Sequence, residues 1–412
     1  MSTHSNNSFE KIVNSIEEKK LLKKLDLRII PLVTLLYTLS FLDRVNIGNA
    51  KLAHLERDLN LVGNEYNWSL GIFFIGYVIF EVPSNIALIK IRPSIWISTL
   101  MLIWGIIMTC MAFAKNFSQL MVIRFLLGAF ESGLFPGVVF YLTRWYKKSE
   151  QSYRIGLFFS GATIAGAFNG LLAFAITNLD SKYGLNGWQW LFIIDGLATV
   201  IVALFAYFLI SDSVETVSWL TEDERKLAID RLKLDAGDAH ATHFDKVEII
   251  KAFKDVVIIR SPYLIFSMLV AVIGYSLLVA QSTSIALKYT GACVVGLGAF
   301  ASIPTSIAWL TNNLAGDSKR AVGCAMMIAW GNIGGVVSAQ LYTANEAPDY
   351  KSGHSIALSL LLIGVILSII QYYYLKRANK LKLNDPNKFL NELSEEEVKH
   401  LGDMHPSFIY SL

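Results

Sequence analysis

Residues 120–142 read LMVIRFLLGAFESGLFPGVVFYL, an apolar run long enough to cross a bilayer, interrupted only by Arg124 and Glu131. A lone charge at the bilayer centre costs ~3 kcal/mol on insertion scales. Seven residues apart, the two charges lie two helical turns, or roughly 10 Å of rise, from each other on nearly one face. That face is excluded from lipid. It must line a polar interior, where ionisable groups ordinarily handle ions or substrates.

The rest of the chain agrees. Of 412 residues, 54% are hydrophobic and 17% charged, and mean hydropathy is +0.46. Uncharged runs occupy 94–114, 155–179, 196–211, 263–287, 289–316, 321–345 and 355–375. About 20 apolar residues span a bilayer as a helix. With weaker spans at 29–46, 68–89, 120–142 and 188–210 (which overlaps 196–211 and counts with it as one), the sequence predicts an all-α membrane protein with ten transmembrane helices. Barrel strands would be half as long and would alternate, so a helical bundle is the expected class.

Composition also excludes. Cys110, Cys293 and Cys324 all fall inside spans, so no disulfide framework is expected and they read as small buried packing residues. The seven His show no ligand spacing, so neither a metal nor a cofactor is expected. Net charge of +3 is too small to suggest nucleic acid. No catalytic constellation emerges, so an enzyme is not expected. Residues 1–27 are polar and read as a cytosolic arm rather than a secretory signal. With the arm inside, Lys90 and Arg92, then Arg144, Lys147, Lys148 and Arg154, then Lys319 and Arg320, then Lys376, Arg377, Lys380 and Lys382 all fall on the cytosolic side, as the excess of basic residues in inner loops requires. The first loop (Arg44, Lys51, Arg57) goes against this rule but also carries Asp43, Glu56 and Asp58.

The organisation is two unequal halves: the arm (1–27), six spans (28–211), a polar central loop (212–262), four spans (263–375) and a cytosolic tail (376–412). Thr221-Glu-Asp-Glu224 has the spacing of a capping box and predicts a short surface helix; Ser394-Glu-Glu-Glu397 repeats the device in the tail. A second repeat links the halves. Span four ends Pro136-x4-Tyr141-Leu142-Thr143, and span eight ends Pro304-x4-Trp309-Leu310-Thr311. Each is followed by a basic loop and a glycine-rich span, whose glycines predict close helix packing. In a duplicated six-span unit the counterpart of span four is span ten. Here it is span eight, as if two spans were missing.

The pieces FLDRVNIGNAK (41–51), FEVPSN (80–85), RFLLGAFESGLFPG (124–137), WQWLFIIDG (188–196), WLTEDER (219–225), AWLTNNLAGDSKRA (308–321) and LGDMHPSFIYSL (401–412) together resemble the fungal allantoate permease family, in the anion:cation symporter branch of the major facilitator superfamily. The resemblance implies a facilitator-type bundle lacking family spans seven and eight, because Lys251-AFKD255 runs straight into Val256-VIIRSPY263. It further implies proton-coupled uptake of a small organic anion, such as an ureide or vitamin acid, by a plasma-membrane monomer; the alternative is a shortened homologue that no longer transports. By the same resemblance Asp43 and Glu131 would couple protons, and Arg44 and Arg124 would bind the anion. From position alone, Asp43 and Arg44 read equally as a solvated pair ending span one or as facing the cavity, where they meet Arg124 and Glu131 across spans one and four. Chemically the set is suitable. Arginine offers a bidentate fork to a carboxylate, and desolvation favours the neutral form of a carboxyl group. Tyr77 matches a family position near substrate but reads at least as well as a packing aromatic. Asn169 can bond a ligand, though a helix–helix hydrogen bond is commoner, and Asp195, Asn312, Asn313 and Asn332 share that ambiguity.

Overall fold

The computed structural model describes residues 2–236, 261–280, 284–314, 317–342, 346, 349–384, 405–406 and 408–412, and every regular element among them is helical. The expected tail cap at 394–397 and the junction at 251–260 lie outside these residues. The helices are α1 (Ser2–Leu52), α2 (Leu55–Asp58), α3 (Glu65–Lys90), α4 (Pro93–Met111), α5 (Phe117–Glu131), α6 (Leu134–Thr143), α7 (Lys148–Thr177), α8 (Gly187–Leu209), α9 (Glu222–Ala236), α10 (Ser261–Val279), α11 (Ile285–Asn312), α12 (Asp317–Leu341) and α13 (Lys351–Asn384). Among the described residues ten segments are long and apolar enough to cross a membrane, α5 and α6 together making one of them. Two compact units emerge: residues 1–62 with 83–238, and residues 63–82 with 239–412. The division cuts α3 at Pro83, whose ring removes one rung of the helical ladder.

In the first unit, helices approach where side chains vanish. A Cβ at Gly196 of α8 would lie 2.6 Å from the Thr109 nitrogen and 2.8 Å from the Gly105 carbonyl of α4. Gly161 of α7 meets the Thr34 carbonyl of α1 in the same way, whereas a Cβ at Gly156, Gly166 or Gly170 would meet nothing. Close packing therefore falls to one span-five glycine rather than to all four, because only one in each turn or two of a helix faces a neighbour. In the corresponding span of the second unit, Gly323 and Gly335 pack tightly while Gly331 and Gly334 do not.

Span four is not one continuous helix. It stops at Glu131 and resumes at Leu134. Pro136 has no amide to give the Ser132 carbonyl, so the ladder cannot run through. The Ser132 hydroxyl turns back to the Ala129 carbonyl at 2.8 Å, and Gly133 admits the Ser84 side chain of α3.

The polar end of this unit is laced by ion pairs. Asp26 of α1 takes both the Nε (2.8 Å) and Nη2 (2.9 Å) of Arg154 on α7. Lys147 pairs with Glu18, and Arg231 of α9 reaches Glu150 at 3.1 Å and the Trp145 carbonyl at 3.1 Å. The expected surface helix α9 forms with its capping box: the Thr221 amide donates to Glu224 (2.9 Å) and the Glu224 amide to the Thr221 hydroxyl (3.3 Å). Lys24 holds the same Glu224 at 2.6 Å, and this hydrogen bond keeps its carboxyl below the usual glutamate range.

In the second unit α10 and α11 pack through Gly274 and Gly298; a Cβ at Gly298 would lie 2.4 Å from the Ala271 nitrogen. Cover is thinner here. The most apolar 18-residue windows of its four wholly contained spans are 11–22% buried, against at least 39% for the others. Two cysteines correct the expectation of buried packing: Cys110 and Cys293 are exposed, and only Cys324 is buried. A small thiol on the outer face of a membrane helix is as well placed against hydrocarbon as inside it.

Gly196→Leu should lower stability by about 1–3 kcal/mol through overpacking, and Gly170→Ala should not; thermal unfolding of the detergent-solubilised chain distinguishes them. Because the folded-state pKa of Glu224 is depressed, its contribution is present above the unfolded value of about 4.3 and is lost as pH falls through the lower folded value. The protection factors of the α9 amides, taken relative to the intrinsic exchange rate at each pH, should accordingly fall on acidification, and less so in Lys24→Ala.

Candidate functional site

Ser40, Asp43 and Arg44 share one face of α1, within a largely apolar run. The fold turns this face into the unit's interior. Glu131, the last residue of α5, is 0% exposed and pairs with Arg44 Nη2 at 2.7 Å. The same carboxylate oxygen, Oε1, accepts from the Ser40 hydroxyl at 2.6 Å; Oε2 has no hydrogen-bond partner among the described residues. The helix ends immediately after Glu131 because of the Pro136 break, so the carboxylate sits where the chain is least constrained by its own ladder.

Asp43 faces a different wall. It is 1% exposed, which corrects the reading of a solvated pair at the end of span one: α1 continues to Leu52, so Asp43 lies within the helix. Its Oδ2 accepts from Trp104 Nε1 of α4 (3.1 Å) and Thr199 Oγ1 of α8 (3.2 Å), while Oδ1 is unpartnered among the described residues. One turn before Thr199 stands Asp195, 5% exposed, with Oδ2 also unpartnered. Asp195 and Glu131 both lie close enough to Asp43 for their charges to act on it. Three acids and Arg44 thus share a region of the first unit that water scarcely reaches.

The other expected residues are placed as follows. Arg124 is buried in α5, at 1% exposure, but the cation on Glu131 is Arg44. Asn169 of α7 is buried and its Oδ1 lacks a partner among the described residues. Tyr77 belongs to the second unit, where its ring packs 6.0 Å from that of Phe73, in keeping with a packing aromatic. Ser40, Trp104 and Thr199 were not expected. Ser40 had a signal, the one-turn spacing to Arg44; Trp104 and Thr199 had none, because their roles exist only once α4 and α8 close on α1.

Removing Arg44 would leave a buried carboxylate with one hydroxyl. Arg44→Ala should therefore destabilise the chain by about 3–5 kcal/mol, and Glu131→Gln in the same background should recover most of it. A double-mutant cycle on unfolding temperature checks this; strictly additive effects would mean the pair is not coupled.

The profile described as Major Facilitator Superfamily matches residues 33–375. The chain is 33% identical over 431 aligned positions to the MFS transporter prlL of a fungal species (strain NRRL 50135), covering 87% of each chain. It is 27% identical over 457 positions to the high-affinity nicotinic acid transporter of Saccharomyces cerevisiae, covering 95% of this chain and 85% of that one. Both alignments are longer than the 412 residues present here, so each relative has residues without a counterpart in this chain. In fold it is similar to the proton:xylose symporter XylE, at 10% identity and a TM-score of 0.61, over 84% of this chain and 96% of that one.

Proposed function

The chain belongs to the Major Facilitator Superfamily, and on that premise we propose that it is built for proton-coupled uptake of a small organic anion across the plasma membrane, within the allantoate permease branch. The observation that carries this reading is the buried Arg44–Glu131 pair. An arginine keeps its charge under all ordinary conditions, whereas a carboxylate can take a proton. Protonation of Glu131 discharges the pair and releases the Arg44 fork to a carboxylate ligand. Asp43 is the second proton-accepting group. Arg124 supplies a further cation for the anion, and Asn169 a hydrogen bond. That one relative is named for nicotinic acid, a small carboxylic acid, supports the substrate class. The charge asymmetry of the loops supports cytosolic termini.

A second reading rests on the thin cover of the last four spans and on alignments longer than the chain: a shortened facilitator that inserts but does not transport. Alternating access needs two comparable halves moving about a central site. With two spans absent, part of the polar interior loses its cover, and a charge facing lipid is expensive. Even-numbered loss preserves orientation, so the remaining helices still insert.

Uptake of radiolabelled nicotinate into liposomes with an imposed pH gradient tests both. The 412-residue chain should transport poorly, and the chain with the two family spans restored should show saturable uptake. In that restored chain Glu131→Gln should retain binding and lose gradient-driven accumulation. Arg124→Ala should raise the half-saturation concentration at least tenfold, and Arg124→Lys should rescue little because it lacks the planar fork. Normal pH-dependent uptake with Glu131→Gln would refute the coupling role. Robust uptake by the 412-residue chain would refute the shortened-homologue reading.

A further inference from the structure

The two copies of Pro-x4-aromatic-Leu-Thr do the same thing in their own units. In the first, the Tyr141 hydroxyl donates to the Ser211 carbonyl at 2.8 Å, in the segment that follows α8. In the second, Trp309 Nε1 donates to the Ser411 carbonyl at 2.8 Å, in the segment that lies beyond α13. Each motif also ends with its threonine hydroxyl turned back to the carbonyl three residues earlier, Thr143 to Phe140 (2.7 Å) and Thr311 to Ala308 (3.3 Å). A side chain that reads main chain is thus a repeated device, and in the second unit it is elaborated.

There, Asn313 caps α11 and takes both main-chain groups of Ser411: its Oδ1 accepts from the Ser411 amide (2.6 Å) and its Nδ2 donates to the Ser411 carbonyl (3.0 Å). Asn379 of α13 takes both groups of Tyr410, each at 2.9 Å. Lys382, 4% exposed, donates to the Phe408 carbonyl at 2.9 Å and stands 4.0 Å from the centroid of the Tyr410 ring. Tyr410 and Leu412 pack on Leu264, Trp309 and Leu375. Tyr410 and Leu412, two residues apart, thus enter the apolar floor together. Asparagine is a poor choice inside a helix because it competes for backbone groups; here it completes the backbone of another segment.

We propose that Trp309, Asn313, Asn379 and Lys382 form a peptide-recognition site whose ligand is the chain's own segment Phe408–Leu412, and that the docked segment is a releasable clasp over the adjoining ends of α10, α11 and α13. Main-chain pairing supplies affinity and the two apolar side chains supply register, the same division used when a strand is added to a sheet edge. Being part of the same chain, the ligand docks in an intramolecular step, with an effective concentration in place of that of a free peptide. A modest intrinsic affinity therefore keeps it bound and still permits release. The site stands independently of transport.

Hydrogen exchange of the full chain in lipid nanodiscs tests the clasp. Amides of 408–411 should exchange at least tenfold more slowly than unstructured peptide, yet faster than those of α10 and α11. The double variant Asn313→Ala/Asn379→Ala should lose this protection while α4 and α8 keep theirs. Tyr410→Pro removes the amide that Asn379 accepts and leaves the groove intact. A synthetic peptide spanning His405–Leu412 should bind that variant at least tenfold more tightly than the parent chain, and adding Asn379→Ala should abolish binding. Absence of protection in the parent, protection unchanged in the double variant, or equal peptide binding by Tyr410→Pro and parent would overturn the recognition site. Exchange as slow as that of the helices would overturn its release.

Discussion

Glu131 has no exposure and one cation, Arg44, at 2.7 Å. In hydrocarbon neither charge is tolerable alone, so this contact dictates which faces of α1 and α5 meet, and the rest of the first unit is arranged to keep water from it. The Pro136 break ends α5 at the carboxylate, Ser40 fills one more of its acceptor positions, and Asp43, one residue from Arg44, is turned toward α4 and α8 instead. Small residues do the remaining work. Gly196 lets α8 come against the α4 backbone, and that approach carries Thr199 to Asp43. The ionic centre and the glycine contacts are thus one construction: the polar groups can stay dry only because the helices around them nearly touch.

The second unit follows other priorities. Its spans are held mainly by α10 against α11 through Gly274 and Gly298, and its outer faces are broadly exposed. Where the first unit gathers Asp43, Arg44, Glu131 and Asp195 in its interior, the second places Lys382 and the neutral side-chain amides of Asn313 and Asn379 toward the ends of α11 and α13, although it too buries an acid, Glu81, at 0% exposure. Two halves descended from one plan, as the repeated Pro-x4-aromatic-Leu-Thr suggests, have kept the device at the helix end and parted company in the core.

Much of this could be read before any coordinates. Apolar run length alone located ten spans, because a bilayer admits few other solutions, and the Thr221–Glu224 spacing located α9. Arg124 and Glu131 identified the span with a polar face. Partnership was legible only as an alternative, in which Asp43 and Arg44 meet Arg124 and Glu131 across spans one and four, and which cation holds Glu131 stayed open. Arg124 is the nearer charge in sequence, but the cation on Glu131 comes from α1, and Trp104, Thr199 and Asp195 join Asp43 only through helix crossings that no spacing encodes. The break in span four was foreshadowed by Pro136 yet hidden by an unbroken apolar run. Cys110 and Cys293 misled, unlike the buried Cys324, because a membrane protein can place small apolar side chains outward at no loss.

The first helix has a mechanical consequence. It runs from Ser2 to Leu52, and it carries Arg44 in its buried stretch and Asp26 at its polar end, clamped by both arms of Arg154. The two residues are separated by about five turns, roughly 27 Å of rise, and so point the same way from the axis. α1 is therefore a torque rod. A twist that swung Arg44 away from Glu131 would swing Asp26 against Arg154 by the same angle, apart from what the missing rung at Pro31 absorbs. Ionic contacts at the surface and in the dry interior are geared to each other by a single shaft.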